Sequence, residues 1–302
     1  MGSSKIDRRK ALQQMSLGVG ALSLGSTIVN TNQGAVLQTG SLLPSVNSLK
    51  GNINHSVCRW CYHDIPLQEL ATEVKTMGIN AIDLLKPDEW KIVKDIGLEC
   101  SLGTDTFASI TKGFNNPKNH ESLQKQYHTL ISQASHAGIK QVIVFSGNRN
   151  TISDAAGLEY CAMGLDILVK HAEKNNVTIV MELLNSKVDH KDYQCDHTPW
   201  GVALVDKIGS NNFKLLYDIY HMQIMEGDII STINTYKDYI AHYHTGGVPG
   251  RNEINNSQEL NYPAVMRAIV ATEYKGYVAQ EFIPTYKNKL EALKEGITIC
   301  DV

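Results

Sequence analysis

VTIVMELLN (residues 177–185) is a run of β-branched and aliphatic side chains that ends on a carboxylate, Glu182, and an amide, Asn185. It lacks the apolar–polar alternation of a half-exposed strand and reads as a strand covered on both faces, the kind found in parallel sheets. KQVIVF (residues 140–145) reads the same way. Working outward in both directions, strands are expected at Ile53–Arg59, Asn80–Leu85, Leu98–Gly103, Lys140–Phe145, Thr178–Leu184, Phe213–Asp218, Tyr239–Thr245 and Tyr277–Phe282. Stretches with apolar residues every three or four positions lie between them, as at Leu67–Met77, Leu123–Ala137 and Leu158–Lys174. Gly78, Gly138 and the pair Asn175-Asn176 stand just past those stretches, where helices stop. About eight strands alternating with about eight helices, at about 31 residues per unit, predict a single-domain (β/α)8 barrel over residues 51–302. The competing arrangement is an open doubly wound sheet. Such a sheet usually carries a glycine-rich phosphate turn, and neither G-x-G-x-x-G nor G-x-x-x-x-G-K-[ST] occurs.

The composition suits one large core, with 42% hydrophobic and 20% charged residues in 302. The net charge of -3 argues against a nucleic-acid partner, which usually leaves a basic footprint. The N-terminus differs from the rest. KIDRRKALQQ (residues 5–14), with the pair Arg8-Arg9, precedes the weakly apolar MSLGVGALSLGSTIV (residues 15–29). That stretch is too short for a membrane-spanning helix, which needs about 20 apolar residues. Residues 1–30 are therefore read as a twin-arginine signal segment, residues 31–50 as a linker, and the chain as exported, to the periplasm. The six cysteines are scattered. Cys58 and Cys61 have redox spacing, but the pair starts in an expected strand rather than at a helix start, so they read as buried thiols.

Barrel enzymes work at the C-terminal ends of their strands. The fifth expected strand ends with Glu182, the sixth (FKLLYDIYHMQ) with Asp218 and then His221, the seventh (YIAHYHTGG) with His242 and His244, and the eighth (YVAQEFIP) with Glu281. Glu182, Asp218, His244 and Glu281 are separated by 36, 26 and 37 residues, each about one βα unit. Four consecutive strands would then aim these groups at one point. A structural polar cluster is the plain alternative, but buried charges are costly without a partner and a divalent cation is a natural one. Three carboxylates and an imidazole suit Mg²⁺ or Mn²⁺, with Zn²⁺ or Co²⁺ also admissible.

YDIYHMQIMEGD (217–228), HYHTGGVPGRNE (242–253), QEFIP (280–284), ELLNS (182–186) and ELNYPAVMRAI (259–269) together resemble the hydroxypyruvate isomerases. These belong to the sugar-phosphate isomerase/epimerase group of xylose isomerase-like barrels. The likeness covers about residues 53–285 and is strongest in the C-terminal half. It implies an acid/base pair, Glu182 and Glu281, that also touches the metal. It further implies Asp218 as a metal ligand and His221 and Arg251 as substrate contacts. Asn185 is read with them as a substrate-binding residue. His244 departs from the pattern, since hydroxypyruvate isomerases tend to carry Gln there and the related ketose epimerases carry His. Arg251 at its position would suit a carboxylate.

The implied activity is a metal-dependent isomerisation of a small hydroxy-carbonyl substrate, hydroxypyruvate to tartronate semialdehyde, through an enediolate. A ketose 3-epimerase or aldose–ketose isomerase acting on free sugars is the enzymatic alternative, and an exported location favours it. Cleavage of abasic DNA would call for more histidine ligands and a basic groove. A secreted sugar-binding barrel is the non-enzymatic alternative, opposed by retention of both glutamates. Homo-oligomers are common among such relatives. Trp60, His63 and Trp200 are further candidates for pocket walls. Lys86 and Ser146–Arg149 are candidates for substrate contact, and Lys187, Asp189 and His190 for a lid.

Overall fold

The computed structural model describes residues 49–302; the expected signal segment, and the linker up to residue 48, lie outside the described residues. Strands β1 (Asn54–Cys58), β2 (Ala81–Asp83), β3 (Glu99–Cys100), β4 (Gln141–Val144), β5 (Thr178–Glu182), β6 (Phe213–Asp218), β7 (Ile240–Thr245) and β8 (Tyr277–Gln280) follow one another. Helices α1 (Leu67–Thr76), α2 (Pro87–Ile96), α3 (His120–Ala137), α4 (Asp154–Asn175) and α5 (Thr198–Ile208) fill the first five connections in turn, α3 linking β3 to β4. Helices α6 (Ile219–Met225) and α7 (Ile229–Tyr236) follow β6, α8 (Tyr262–Ala271) follows β7, and α9 (Lys289–Cys300) follows β8. Each expected strand has a counterpart: β6 matches its expected bounds, the other seven are shorter by one to four residues, and the three expected helices start up to four residues earlier.

Paired strands all run parallel, in the order β3-β2-β1-β8-β7-β6-β5-β4. The ends of that order meet at Gly103, whose N–H donates to the Gln141 carbonyl at 2.9 Å while its own carbonyl accepts from Ile143 N–H at 3.0 Å. The barrel closes through this one residue. A Cβ at Gly103 would come within 3.3 Å of Trp90 and 3.4 Å of the Gln141 carbonyl, so glycine permits the approach. Expected strand Leu98–Gly103 is accordingly a two-residue strand plus this bridge.

Side chains pointing away from the axis pack under the helices. Tyr217 of β6 and Tyr243 of β7 are register partners and meet edge to face at 6.2 Å. Gly201 of α5 sits on Leu215, where a Cβ would lie 3.0 Å from the leucine. Gly164 of α4 faces His120 of α3, whose ring would stand 2.6 Å from an added Cβ.

Register determines what points inward. Glu182 pairs with Leu216, two residues before Asp218, and Asp218 pairs directly with His244. His244 pairs with Ala279, two residues before Glu281. Side chains alternate with period two, so even offsets keep all four on the inner face. Cys58 pairs with Asp83 and shares that face.

Candidate active site

The four side chains expected to share a cation are brought together. One donor atom from each of Glu182, Asp218, His244 and Glu281 lies within 4.8 Å of all the others, and all four residues are buried. His244 Nδ1 stands 3.2 Å from Glu182 Oε1 and 2.8 Å from Glu281 Oε2.

Local sequence explains each position. Asp218 caps α6: its Oδ1 accepts the backbone N–H of His221 at 3.2 Å, which leaves Oδ2 facing the site. The Asp-x-x-His spacing is therefore a helix start that also delivers His221. The His221 ring is fully buried, with Nδ1 2.6 Å from Asn185 Nδ2, while Nε2 has no hydrogen-bond partner among the described residues. An unpartnered buried nitrogen 3.6 Å from Asp218 Oδ2 is a ready contact for a substrate oxygen. Arg251 sits at φ 57° in the turn after Gly250. That turn folds its guanidinium back over the site, where it donates to Glu281 Oε2 and lies 3.5 Å from Asp218 Oδ2. Its charge also lies 5.1 Å from the Trp60 ring centroid and 5.4 Å from that of Tyr220. Trp60 Nε1 donates to Glu281 Oε1 at 2.7 Å, as suits a pocket wall.

The two glutamates are driven in opposite directions. Burial pushes the Glu182 carboxyl up from its ordinary value. Burial also works to raise Glu281, but the Arg251 guanidinium and the His244 imidazole override it and hold the group well below the usual range. Asp218 is pushed well up by burial. Burial and the charge of Arg251 keep His221 well below an ordinary histidine.

The donor set fits a divalent cation. Three buried carboxylates converge on one imidazole nitrogen, with Arg251 as the guanidinium among them. Carboxylates this close repel one another unless a cation lies between them.

One functional neighbour gave no signal in the sequence. Asp83, at the end of β2, has no accessible surface, and its Oδ2 lies 2.8 Å from His244 Nε2 and 3.1 Å from His242 Nε2. Tyr220 was missed too; its hydroxyl donates to Asp189 Oδ2 at 2.8 Å.

Other candidates find different employment. His63 is exposed, its Nδ1 3.0 Å from the Trp60 carbonyl, and the indole of Trp200 donates to the Asp154 carbonyl at 3.1 Å. Lys86 caps α2. Ser146 Oγ accepts the backbone N–H of Cys195, and Arg149 pairs with Asp154 and Asp196. These side chains brace the loop after β4, because a connection crossing the barrel rim must satisfy its buried polar groups. The expected lid is tied down: Lys187 donates to the carbonyls of Ile224 and Met225, and Asn185 and Tyr220 both donate to Asp189. Cys58 and Cys61 are buried free thiols.

Comparison with known proteins bears on the family and the fold. Residues 72–300 match the family described as xylose isomerase-like TIM barrel. Hydroxypyruvate isomerase of Escherichia coli K12 is 32% identical over 111 residues, which are 37% of this chain and 42% of that protein. The chain thus aligns with less than half the length of that relative. The 2-oxo-tetronate isomerase of Pectobacterium atrosepticum is 26% identical over 241 residues, 76% of this chain and 90% of that protein. Among solved structures, D-psicose 3-epimerase with D-tagatose from Clostridium cellulolyticum H10 superposes with a TM-score of 0.68 at 17% identity, over 83% of this chain and 100% of that one. That last likeness speaks to the fold alone. With the match spanning most of the chain, the protein belongs to the xylose isomerase-like TIM barrel family.

Proposed function

We propose that the protein is a metal-dependent isomerase of the hydroxypyruvate isomerase type, acting on a small hydroxy-carbonyl substrate. The observation that carries this reading is the convergence of Glu182 and Glu281 on one imidazole nitrogen, at 3.2 and 2.8 Å from His244 Nδ1. Glu182, Asp218, His244 and Glu281 would hold the cation, Mg²⁺ or Mn²⁺ by the hardness of the set. A divalent ion supplies Lewis acidity, which acidifies the C–H between a carbonyl and its neighbouring hydroxyl.

The protein's own groups do the rest. One glutamate takes that proton while the other, protonated beforehand, gives its own to the adjacent carbon, and the hydroxyl proton passes to the former carbonyl oxygen. Their opposite electrostatic settings allow one to hold a proton while the other is ionised. Arg251, held against the Trp60 and Tyr220 rings, faces the substrate carboxylate, and the free Nε2 of His221 takes a substrate oxygen. Burial of all four central side chains excludes water that would otherwise quench the carbanionic species.

His244 favours a second reading, 3-epimerisation of a free ketose, in which the proton returns to the opposite face of the same carbon. The leader read at residues 1–30 supports export, which points the same way. The test is a panel of hydroxypyruvate, 2-oxo-tetronate and free ketoses with added Mn²⁺, run in deuterated water. Glu281→Gln is expected to lose more than about 10²-fold in turnover, the usual size of an acid–base contribution. Near-normal turnover in that variant, or no solvent deuterium in any recovered substrate, would sink the reading; the latter result fits a sugar-binding barrel.

A further inference from the structure

Asp83 is a carboxylate with no accessible surface, and everything polar around it is a donor. Oδ1 accepts from the Ser101 hydroxyl at 2.7 Å. Oδ2 faces His244 Nε2 at 2.8 Å, His242 Nε2 at 3.1 Å and the Cys58 thiol at 3.6 Å. An ionised carboxylate only accepts, so the 2.8 Å contact is a hydrogen bond when Nε2 of His244 carries hydrogen. A neutral imidazole protonated at Nε2 has its lone pair on Nδ1. Nδ1 is the atom directed at Glu182 and Glu281. The carboxylate is itself braced: His242, its partner at Nε2, has Nδ1 2.9 Å from Gln141 Oε1, and Gln141 Nε2 donates to the Ala241 carbonyl at 2.8 Å.

We infer that Asp83 is a positioning residue, which holds His244 as the Nε2–H tautomer and so presents Nδ1 to the cation. The inference rests on the metal-site reading given under Proposed function. Cys58, Asp83 and His244 also offer donor atoms within 4.8 Å of one another. A second cation there would need both nitrogens of His244 as ligands at once, which a neutral imidazole cannot supply. The carboxylate–histidine–metal arrangement accounts for the same atoms with one cation.

Two measurements on the full chain test the assignment. In the first, the protein is labelled with ¹⁵N-histidine and saturated with Zn²⁺ as a diamagnetic probe, with His244→Gln identifying the resonance. The expected spectrum shows hydrogen on Nε2 of His244 and none on Nδ1. In the second, Mn²⁺ affinity is titrated for the wild type, Asp83→Asn, His244→Gln and the double variant. Asp83→Asn is expected to weaken Mn²⁺ binding by about 10- to 100-fold, as loss of an orienting partner typically does. The amide can donate to Nε2 and stabilise the wrong tautomer. In the His244→Gln background the same change is expected to add nothing, because Asp83 acts through that ring. A merely structural role would keep the full effect of Asp83→Asn in the double variant. Hydrogen on Nδ1 in the zinc-bound wild type, or additive losses, overturns the positioning role while the metal site stands. If the wild type takes up neither Zn²⁺ nor Mn²⁺, the metal-site reading falls and the positioning role with it. Should Asp83→Asn fail to fold, the wild-type spectrum decides.

Discussion

His55 shows what a single buried residue imposes on stability. Its side chain on β1 points outward beneath the end of α9, and neither ring nitrogen has a hydrogen-bond partner among the described residues. Asp301 Oδ1 is 3.8 Å from Nε2, too long to offset the burial, and the group is lowered to about 4. The folded value lies below the unfolded one, so folding favours the neutral ring. Its stability is complete above about pH 6.5 and drains away as pH falls toward 4. The loss across that window amounts to about 3 kcal/mol, at about 1.4 kcal/mol per unit. His55→Leu is expected to flatten the corresponding slope of chemical-denaturation midpoint against pH; an unchanged slope would place the proton uptake elsewhere. At this scale the sequence was readable where chemistry ends a long apolar run. Glu182, Asp218, His244 and Glu281 were found because each closes such a run. Asp83 was not, because β2 is three residues long, and its meaning depends on a histidine 161 positions away. Tyr220 was not, because its place against the guanidinium depends on the turn at Arg251, far along the chain.

At the scale of elements, glycine in a helix need not be a weakness. Gly164 lies in the middle of α4, where alanine would raise helix propensity by about 1 kcal/mol. The added methyl would meet the His120 ring at 2.6 Å, and that ring is held 2.8 Å from the Phe114 carbonyl. Overpacking of this kind costs about 1–3 kcal/mol, so Gly164→Ala is expected to be net destabilising by up to about 2 kcal/mol. A raised melting temperature in calorimetry would show that propensity wins. Helix positions were legible because periodicity and the terminal glycines agree; exact starts were not, since α4 begins with a Ser153 side-chain cap to Ala156 that precedes its apolar stripe. The expected third strand was overextended because an apolar run looks alike whether it pairs along its length or at a single glycine.

For the whole molecule, the site is a concentration of like charge that the fold must restrain. Binding of a cation to the folded state alone should stabilise it by about 2.7 kcal/mol at 100 times the dissociation constant. For a domain of this size that is a rise in Tm of about 5–10 °C, reversed by a chelator. Differential scanning with and without EDTA measures it, and an indifferent Tm would argue that no cation binds. The (β/α)8 order was legible from alternation alone, yet ring closure was not, because parallel pairing of the first and last members of the order lies between residues that no local pattern links.

The single clasp at Gly103 has a mechanical corollary. A hoop stitched along nearly its whole circumference and joined at its ends by two ladder hydrogen bonds at Gly103, with Phe114 and Asn115 of the next loop donating to the Phe145 and Ser146 carbonyls, has its weakest link there. Thermal breathing would part β3 from β4 first. The strands that bear the four carboxylate and imidazole groups run consecutively from β5, one strand from the clasp, round to β7 and β8 on its far side. Slack at the clasp would therefore reach Glu182 on β5 before His244 and Glu281, which stand on the far side of the ring.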